Sequence, residues 1–317
     1  MWKRLLLGVV AFVVVALGGL YYALYQPDIP RRVLEAKYAA PPSRFVVLKD
    51  GARVHYRERG PAAAPVLLLL HGSNSSLFDW EPWSKALSDR FRVVTVDLPG
   101  HGLTGAVPNG DYSERGMAAF VQEFVDKIGL ERFALGGNSM GGGVAARFAE
   151  EHPGRVTRLI LVDAEGMQTR FGDRIPLAFR LAQTPILNRL LLHITPRALV
   201  VEGLDDAIVR KAIITNTMID EYWDFARMAG TRQVTIIRFQ LPPDDYVRTH
   251  IGSIKAPTLI LWGAEDRLIP VAAAQAWARA IPGSRLIVYP DTGHLPMEEE
   301  PADTAAAVRA FLGTPAP

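Results

Sequence analysis

Short, uninterrupted apolar runs recur along the chain and are separated by segments of helical length. Continuous runs of this kind are typical of strands that are buried on both faces of a sheet. Before them, two β-rich segments flank Asp50-Gly51, a pair that favours a tight hairpin turn. The pattern predicts an α/β fold with a mainly parallel sheet flanked by helices and an antiparallel hairpin at its edge. The apolar runs are residues 66–70, 92–97, 133–137, 158–163, 258–263 and 285–290.

One long interval, residues 166–253, interrupts this alternation. It contains helix-like runs and no convincing buried strand, and it is too long for a connecting loop in a compact domain. We interpret it as a helical cap inserted between two parts of the core, residues 44–165 and 254–317. Its aromatic and methionine side chains are expected to line a substrate pocket, among them Tyr222, Phe225 and Met228.

The N-terminal segment contains about 21 uncharged residues, 5–25, enough to cross the hydrocarbon core of a membrane as a helix. Two basic residues precede it, and tyrosines, which favour the membrane interface, cluster at its far end: Tyr21, Tyr22 and Tyr25. We predict a single-pass signal anchor over residues 1–26 and a tether over 27–43, with the folded domain extracytoplasmic. One alternative is a cleaved signal peptide, since residues 16–18 loosely resemble a cleavage site. A buried core helix is the other, and the lack of a polar face argues against it.

Composition excludes several classes of protein. The formal net charge is +2 and no long basic run occurs, so we expect no binding of nucleic acid. The chain has no cysteine, which excludes disulfides, thiolate zinc sites and cysteine nucleophiles. With 49% hydrophobic and 21% charged residues, the chain has the composition of an ordinary globular protein and can bury a large core.

The stretch GGNSMGGG, residues 136–143, lies between an apolar run and an alanine-rich helical segment and contains Gly137-x-Ser139-x-Gly141. A strand, a serine in a sharp turn and a helix form a nucleophile elbow, which exposes the serine hydroxyl. The alternatives are a purely structural turn and a phosphate-binding loop. The motifs of phosphate-binding loops are absent here. We therefore predict that Ser139 is a nucleophile, and we expect neither a cofactor nor a metal.

A serine nucleophile needs a base, and the base needs an orienting acid. His294 lies in a polar loop after the last apolar run, where the carboxyl ends of parallel strands place functional sites. Asp266 follows the preceding apolar run and Asp163 follows the one before that. Both acids are candidates for orienting His294, and we favour Asp266.

The oxyanion of an acyl-transfer reaction needs two N–H donors. The Met140 N–H stands at the start of the helix after the predicted nucleophile, and the second donor is expected from the loop after an early strand. In that loop, His71-Gly72-Ser73 makes the Ser73 N–H the first candidate and Asn74 the reserve.

These motifs resemble those of the cap-bearing branch of the α/β-hydrolase fold proteins, and the resemblance covers about residues 45–312. The likeness implies a triad of Ser139, Asp266 and His294, with Ser73 and Met140 in the oxyanion hole. Epoxide hydrolases and haloalkane dehalogenases of this fold use an aspartate nucleophile, and a serine argues against both. The motifs are HGSNSS (71–76), DLPGHGLT (97–104), GGNSMGGG (136–143), WGAEDRLIP (262–270) and DTGHLPMEEEP (291–301).

The expected function is therefore that of a membrane-anchored serine hydrolase that cleaves carboxylic esters, lipid-like or otherwise apolar. The sequence GNSMGG also occurs in hydrolases that cleave carbon–carbon bonds of vinylogous diketones, which is the alternative chemistry. A non-catalytic binding protein of the same fold is a third hypothesis, and the complete set of triad residues argues against it.

Overall fold

The computed structural model describes residues 2–167, 176–242 and 244–313. Its first element is a helix, α1 (Trp2–Leu24), which buries none of its residues and is long and apolar enough to cross a membrane. A short second helix, α2 (Arg31–Tyr38), follows, and its Leu34 is buried.

Within these residues, a single eight-stranded sheet forms the centre of the molecule, in the order β1-β2-β4-β3-β5-β6-β7-β8. The first two strands are the predicted hairpin: they pair antiparallel with each other, and β2 pairs antiparallel with β4. All remaining neighbours are parallel, which confirms the predicted sheet. The strands are β1 (Ser43–Val47), β2 (Arg53–Arg59), β3 (Val66–Leu70), β4 (Arg92–Val96), β5 (Phe133–Asn138), β6 (Val156–Val162), β7 (Thr258–Gly263) and β8 (Arg285–Tyr289).

Helices cover both faces of this sheet, because successive side chains of a strand point to opposite sides. From β3, Leu68 and Leu70 join one buried cluster, together with residues of α4 (Glu114–Lys127) and α5 (Met140–Glu151). Leu67 and Leu69 join a second cluster on the other face, with α3 (Glu81–Leu87). Both faces of the central strands are therefore in the core, which explains why these strands are continuous apolar runs.

Between β6 and β7 the described residues form a series of helices, within the interval predicted to be a cap. Residues 168–175 and 243 of that interval lie outside the described residues. The helices are α6 (Leu177–Gln183), α7 (Asn188–Leu191), α8 (Arg197–Ala207), α9 (Asn216–Ala226), α10 (Thr231–Gln240) and α11 (Tyr246–His250). The chain then returns to the core with α12 (Ala272–Ala280), α13 (Pro296–Glu299) and α14 (Pro301–Gly313).

The segment predicted to be a tether contacts both parts of the molecule. Leu34 of α2 packs in a cluster with Phe225 and Met228 of the inserted helices and with Leu103 of the core. Two of the side chains expected to line a pocket are therefore used to hold α2.

Candidate active site

Ser139 is the single residue between β5 and α5, and its backbone is strained. Its φ of 52° and ψ of −121° are unfavourable for a residue with a side chain. Backbone hydrogen bonds hold the turn: the Ser139 N–H donates to Val162 O at 3.0 Å, and the Ser139 carbonyl accepts the Glu165 N–H at 2.9 Å. This geometry matches the predicted turn and places the hydroxyl at the carboxyl end of the sheet.

The turn requires glycine on both sides because other backbone atoms lie very close. A Cβ at Gly137 would lie 2.1 Å from the carbonyl oxygen of Gly141. A Cβ at Gly141 would lie 2.4 Å from the carbonyl oxygens of both Leu70 and His71. Backbone atoms cannot move aside as a flexible side chain can, so these two glycines permit the close approach of β5, α5 and the end of β3.

His294 and Asp266 meet in the loops that follow β8 and β7. The Nδ1 of His294 lies 2.7 Å from Oδ2 of Asp266, and both side chains are buried. The other carboxylate oxygen of Asp266 accepts the N–H groups of Leu268 at 2.8 Å and Ile269 at 3.0 Å. The tight turn after Asp266 therefore fixes the carboxylate so that one oxygen faces the imidazole.

Asp163, the other acid that sequence reasoning considered, has a different partner. Its Oδ1 accepts the Gly263 N–H at 3.0 Å, and its Oδ2 has no hydrogen-bond partner among the described residues. Burial and the neighbouring Asp266 raise the pKa of Asp163 well above its ordinary value. Two buried carboxylates this close cannot both be ionised, so Asp163 is the protonated member of the pair.

Among the described residues, the same three groups have a spacing that would suit a metal ion: ligand atoms of Asp163, Asp266 and His294 all lie within 4.8 Å of one another. Both carboxylates already accept backbone N–H groups, Asp163 from Gly263 and Asp266 from Leu268 and Ile269. The donor set therefore suits a hydrogen-bonded triad with a neutral neighbour better than it suits a metal.

The loop after β3 carries the candidate oxyanion donor. His71 is buried, its Nδ1 donates to Gly72 O at 2.7 Å, and its Nε2 accepts the Leu98 N–H at 3.0 Å. Burial lowers the pKa of His71, so the ring is neutral and braces the loop. Beyond it, Ser73 and Asn74 line a cavity, and Asn74 has a positive φ of 56°.

This cavity has a volume of ≈ 150 Å³ and lies between the sheet and the inserted helices. Ser139, His294 and Ser73 line it from the core side, so three of the predicted site residues meet there. Tyr222 lines it as expected. Most of the opposite wall is apolar and comes from α6, α7 and α8, including Phe179, Leu191, Leu199, Val200, Leu204 and Ala207.

Similarity to known proteins identifies the family of this chain. A family model of the α/β hydrolase fold matches residues 65–301. The chain belongs to the α/β-hydrolase family. This confirms the family resemblance that the sequence motifs indicated.

Several α/β hydrolases are similar to the chain over most of its length. The monoacylglycerol lipase abhd6-A of Xenopus laevis is 27% identical, covering 82% of this chain and 79% of that protein. A 2-hydroxy-6-oxononadienedioate/2-hydroxy-6-oxononatrienedioate hydrolase of Cupriavidus pinatubonensis is 28% identical, covering 86% and 95%. Among solved structures, a membrane phospholipase A described as a bacterial virulence factor is 29% identical with a TM-score of 0.73, covering 98% of both chains.

Sequence reasoning missed a buried cation beside the site of this α/β hydrolase. Arg238 of α10 donates from Nη2 to the Ser73 hydroxyl at 3.1 Å, while its Nη1 is buried and has no hydrogen-bond partner in the described part of the chain. Burial lowers the pKa of Arg238 to about 10, against the opposing effect of Glu165, so the guanidinium stays charged at neutral pH. A cation therefore lies directly behind the loop that carries the candidate oxyanion donor.

Two further residues of the α/β hydrolase hold the His294 loop, and sequence reasoning did not single them out either. The Asn138 side chain donates to the carbonyl of His294 at 3.0 Å. The Glu299 carboxylate accepts the N–H of Gly293 at 2.8 Å and the N–H of Val209, beyond α8, at 2.9 Å. The His294 loop is thus bound to the inserted helices as well as to the core.

Proposed function

We propose that this α/β hydrolase is a membrane-anchored serine hydrolase that cleaves carboxylic esters with apolar acyl groups. The observation that carries the proposal is the apolar cavity that Ser139 and His294 both line. A strained serine, a histidine and a buried carboxylate on that histidine are the parts that acyl transfer requires.

In this mechanism the Ser139 oxygen attacks the ester carbonyl carbon while His294 takes the hydroxyl proton at Nε2. Asp266 holds Nδ1–H and stabilises the imidazolium that forms. Collapse of the tetrahedral intermediate breaks the bond to the alcohol oxygen, which takes the proton from His294, and leaves an acyl group on Ser139. His294 then activates a water that hydrolyses the acyl-enzyme and restores the serine.

A second buried histidine–carboxylate pair provides a useful contrast. His55 Nδ1 lies 2.6 Å from Asp97 Oδ2, but both side chains are completely buried and His55 Nε2 lies 2.9 Å from Ser43 Oγ. Both nitrogens of that ring are therefore occupied. His294, which lines the cavity with Ser139, is the histidine we assign as the base.

The developing oxyanion is assigned to the N–H groups of Met140 and Ser73. Met140 is the first residue of α5, and the first N–H groups of a helix have no partner within it. The positive end of the helix dipole favours negative charge at the same place. Arg238 acts as a positioning residue: it holds Ser73 through the hydroxyl and adds a buried positive charge behind the oxyanion.

Two observations favour an apolar ester over a diacid substrate with a cleavable carbon–carbon bond. The cap side of the cavity is mostly apolar, which suits an acyl chain. Among the described lining residues the one arginine, Arg232, already contacts Asp28 at 2.6 Å. Carbon–carbon bond cleavage remains the alternative, supported by the similarity to the hydrolase of Cupriavidus pinatubonensis.

A substrate panel tests the reaction. The purified full chain should turn over monoacylglycerols and simple alkyl esters, with kcat/KM rising as the acyl chain lengthens until the cavity is full. The vinylogous diketone diacid should react far more slowly. Efficient cleavage of the diketone with negligible ester turnover would overturn the ester assignment in favour of the alternative.

The anchor is a separate part of the proposal and rests on α1. A helix of this length and composition near an N-terminus also fits a signal sequence, so the mature protein must be examined. Carbonate extraction of membranes should leave the chain in the pellet at its full 34.8 kDa, because a spanning helix inserts essentially irreversibly. A soluble mature form that lacks the first 18 or so residues would show that the segment is removed.

A further inference from the structure

The cap exposes large apolar side chains at one place, on α6, α7 and the turn between them. Ile186 is 79% exposed, and its φ of 71° is rare for a β-branched residue. Leu187, Leu190 and Leu177 are 44%, 45% and 42% exposed. We call these four residues the apolar cap surface. Exposed apolar side chains grouped on two neighbouring helices are typical of a binding surface on a soluble domain.

The C-terminal end of the anchor helix α1 lies against the same part of the cap. The rings of Tyr21 and Tyr25 lie 6.3 and 5.8 Å from the ring of His193, and the Gln26 N–H donates to His193 O at 2.8 Å. His193 in turn donates its N–H to Leu190 O at 3.0 Å. The anchor and the apolar cap surface are therefore joined through a single turn of chain.

The tyrosines indicate at which depth of the membrane this contact lies. Tyrosine side chains at the end of a spanning helix favour the level of the lipid headgroups. Because His193 packs on two of them, the turn that carries Leu190 lies at that level too. An apolar side chain at the interface gains free energy by entering the acyl region, which fits the exposure of the apolar cap surface.

The positive charge of the same segment suits an anionic lipid as the partner. Residues 176–201 contain arginines at 180, 189 and 197 and no acidic residue. Arg180 and Arg189 are exposed and lie on the same two helices as the apolar cap surface. Basic residues beside interfacial apolar groups attract anionic headgroups.

The other side of the same helices faces the cavity. Phe179 of α6 and Leu191 of α7 line the cavity that contains Ser139, while Leu177 and Leu190 are exposed. One layer of helix therefore separates the apolar cap surface from the cavity.

We propose that the apolar cap surface docks into the headgroup and upper acyl region of an anionic bilayer, so that the cavity receives its ester from the membrane. This inference rests on the proposed function, specifically on retention of the anchor. The chain then contacts the membrane twice, through α1 and through α6–α7, and the second contact places two helices of the cavity wall against the lipid.

The absence of cysteine from the chain permits a direct test. Single variants Ile186→Cys and Leu190→Cys in the full-length protein are labelled with an environment-sensitive fluorophore and reconstituted in vesicles that carry a nitroxide-labelled lipid. The matched control is Val288→Cys on β8, at the sheet edge, where the side chain is 39% exposed. Vesicles with and without phosphatidylglycerol separate the contribution of anionic headgroups.

The proposal predicts strong nitroxide quenching at 186 and 190, little at 288, and stronger quenching with phosphatidylglycerol. Equal quenching at all three positions, or none at 186 and 190 in a protein retained by the membrane, would overturn it. Energy transfer between copies labelled at 186, with loss of lipid quenching, would assign the surface to a second copy of the chain and also overturn it.

A functional arm uses the double variant Ile186→Asp, Leu190→Asp, neither of which lines the cavity. We expect its apparent KM for a bilayer-dissolved ester to rise roughly 10-fold, with turnover of a short water-soluble ester unchanged. Unchanged kinetics with both substrates would contradict docking. The quenching measurement can be repeated in Ser139→Ala, so failure of the docking proposal and failure of the proposed chemistry are seen separately.

Discussion

Replacing each of the two neighbouring acids by asparagine should have opposite consequences, and the hydrogen bonds of the site explain why. In Asp266→Asn, the N–H groups of Leu268 and Ile269 keep the amide oxygen where Oδ1 is now. The amide NH₂ then occupies the position of Oδ2 and faces Nδ1 of His294. A donor at that place requires Nδ1 to be an acceptor, which puts the ring proton on Nε2. A protonated Nε2 cannot accept the proton of the nucleophile.

The magnitude follows from the loss of both tautomer and charge. An orienting aspartate of this type contributes on the order of 10⁴ to kcat, which corresponds to about 5.4 kcal/mol of activation free energy at about 1.36 kcal/mol per factor of ten. Asp163 is already neutral, because burial and Asp266 raise its pKa. In Asp163→Asn the amide oxygen can keep the Gly263 N–H, and the neutral NH₂ takes the place of Oδ2, which makes no hydrogen bond to the described residues. We expect less than about a 10-fold loss, or 1.4 kcal/mol.

The assay is steady-state hydrolysis of a soluble ester by both variants, with circular dichroism and thermal unfolding as controls for folding. The expected ratio of kcat between the folded variants is on the order of 10³ in favour of Asp163→Asn. A crippled Asp163→Asn beside a nearly normal Asp266→Asn would refute the reasoning and reassign the orienting acid.

Three further predictions concern positions around the site. Arg238→Met should lower kcat about 10-fold with little change in KM, and Arg238→Lys should restore part of it, because the residue acts on the oxyanion loop through Ser73; a rise in KM at constant kcat would instead indicate substrate binding. Burial, with Asp79 nearby, raises the pKa of Glu298 from 4.5 to about 9. The protonated carboxyl therefore contributes to the free energy of unfolding below pH 4.5, and this contribution is lost as the pH rises through 9. Glu298→Gln should therefore flatten the fall of unfolding free energy with pH in urea titrations, and an unchanged slope would contradict this. Gly137→Ala places a Cβ 2.1 Å from a backbone oxygen and should cost about 3 kcal/mol of stability in the same titrations; a wild-type midpoint would count against the turn geometry.

The sheet was predictable because its strands are buried on both faces. The predicted runs at 66–70 and 258–263 coincide with β3 and β7, and the others differ from their strands by one or two residues at one or both ends. Uninterrupted apolar sequence, bounded by polar turns, leaves little choice of structure. The order of the motifs also predicted the family, which the match over residues 65–301 confirms.

The residues that position the site could not be read from the sequence, because their partners are remote. Arg238 lies 165 positions from Ser73, in a helix whose neighbouring residues give no sign of a charged site. The pair of Arg232 and Asp28 spans 204 positions and joins the segment read as a tether to the cavity wall. Only tertiary packing brings such groups together.

The residues of the cavity wall were predicted from residue type, and this prediction was only partly correct. Tyr222 lines the cavity, but Phe225 and Met228 pack against Leu34 of α2. Large apolar side chains in a helical insertion can face a pocket or a neighbouring helix, and composition does not distinguish the two. The roles of Ser139, Asp266 and His294 stay predictions until activity is measured.

The most direct test of the account is the identity of the nucleophile. The full-length protein in detergent or vesicles is treated with a serine-directed fluorophosphonate, and the labelled peptide is identified by mass spectrometry. The account predicts a single label on Ser139, and it predicts that Ser139→Ala abolishes labelling and lowers kcat for esters by roughly 10⁴-fold or more. Ester turnover by a folded Ser139→Ala protein at the wild-type rate would contradict the central claim.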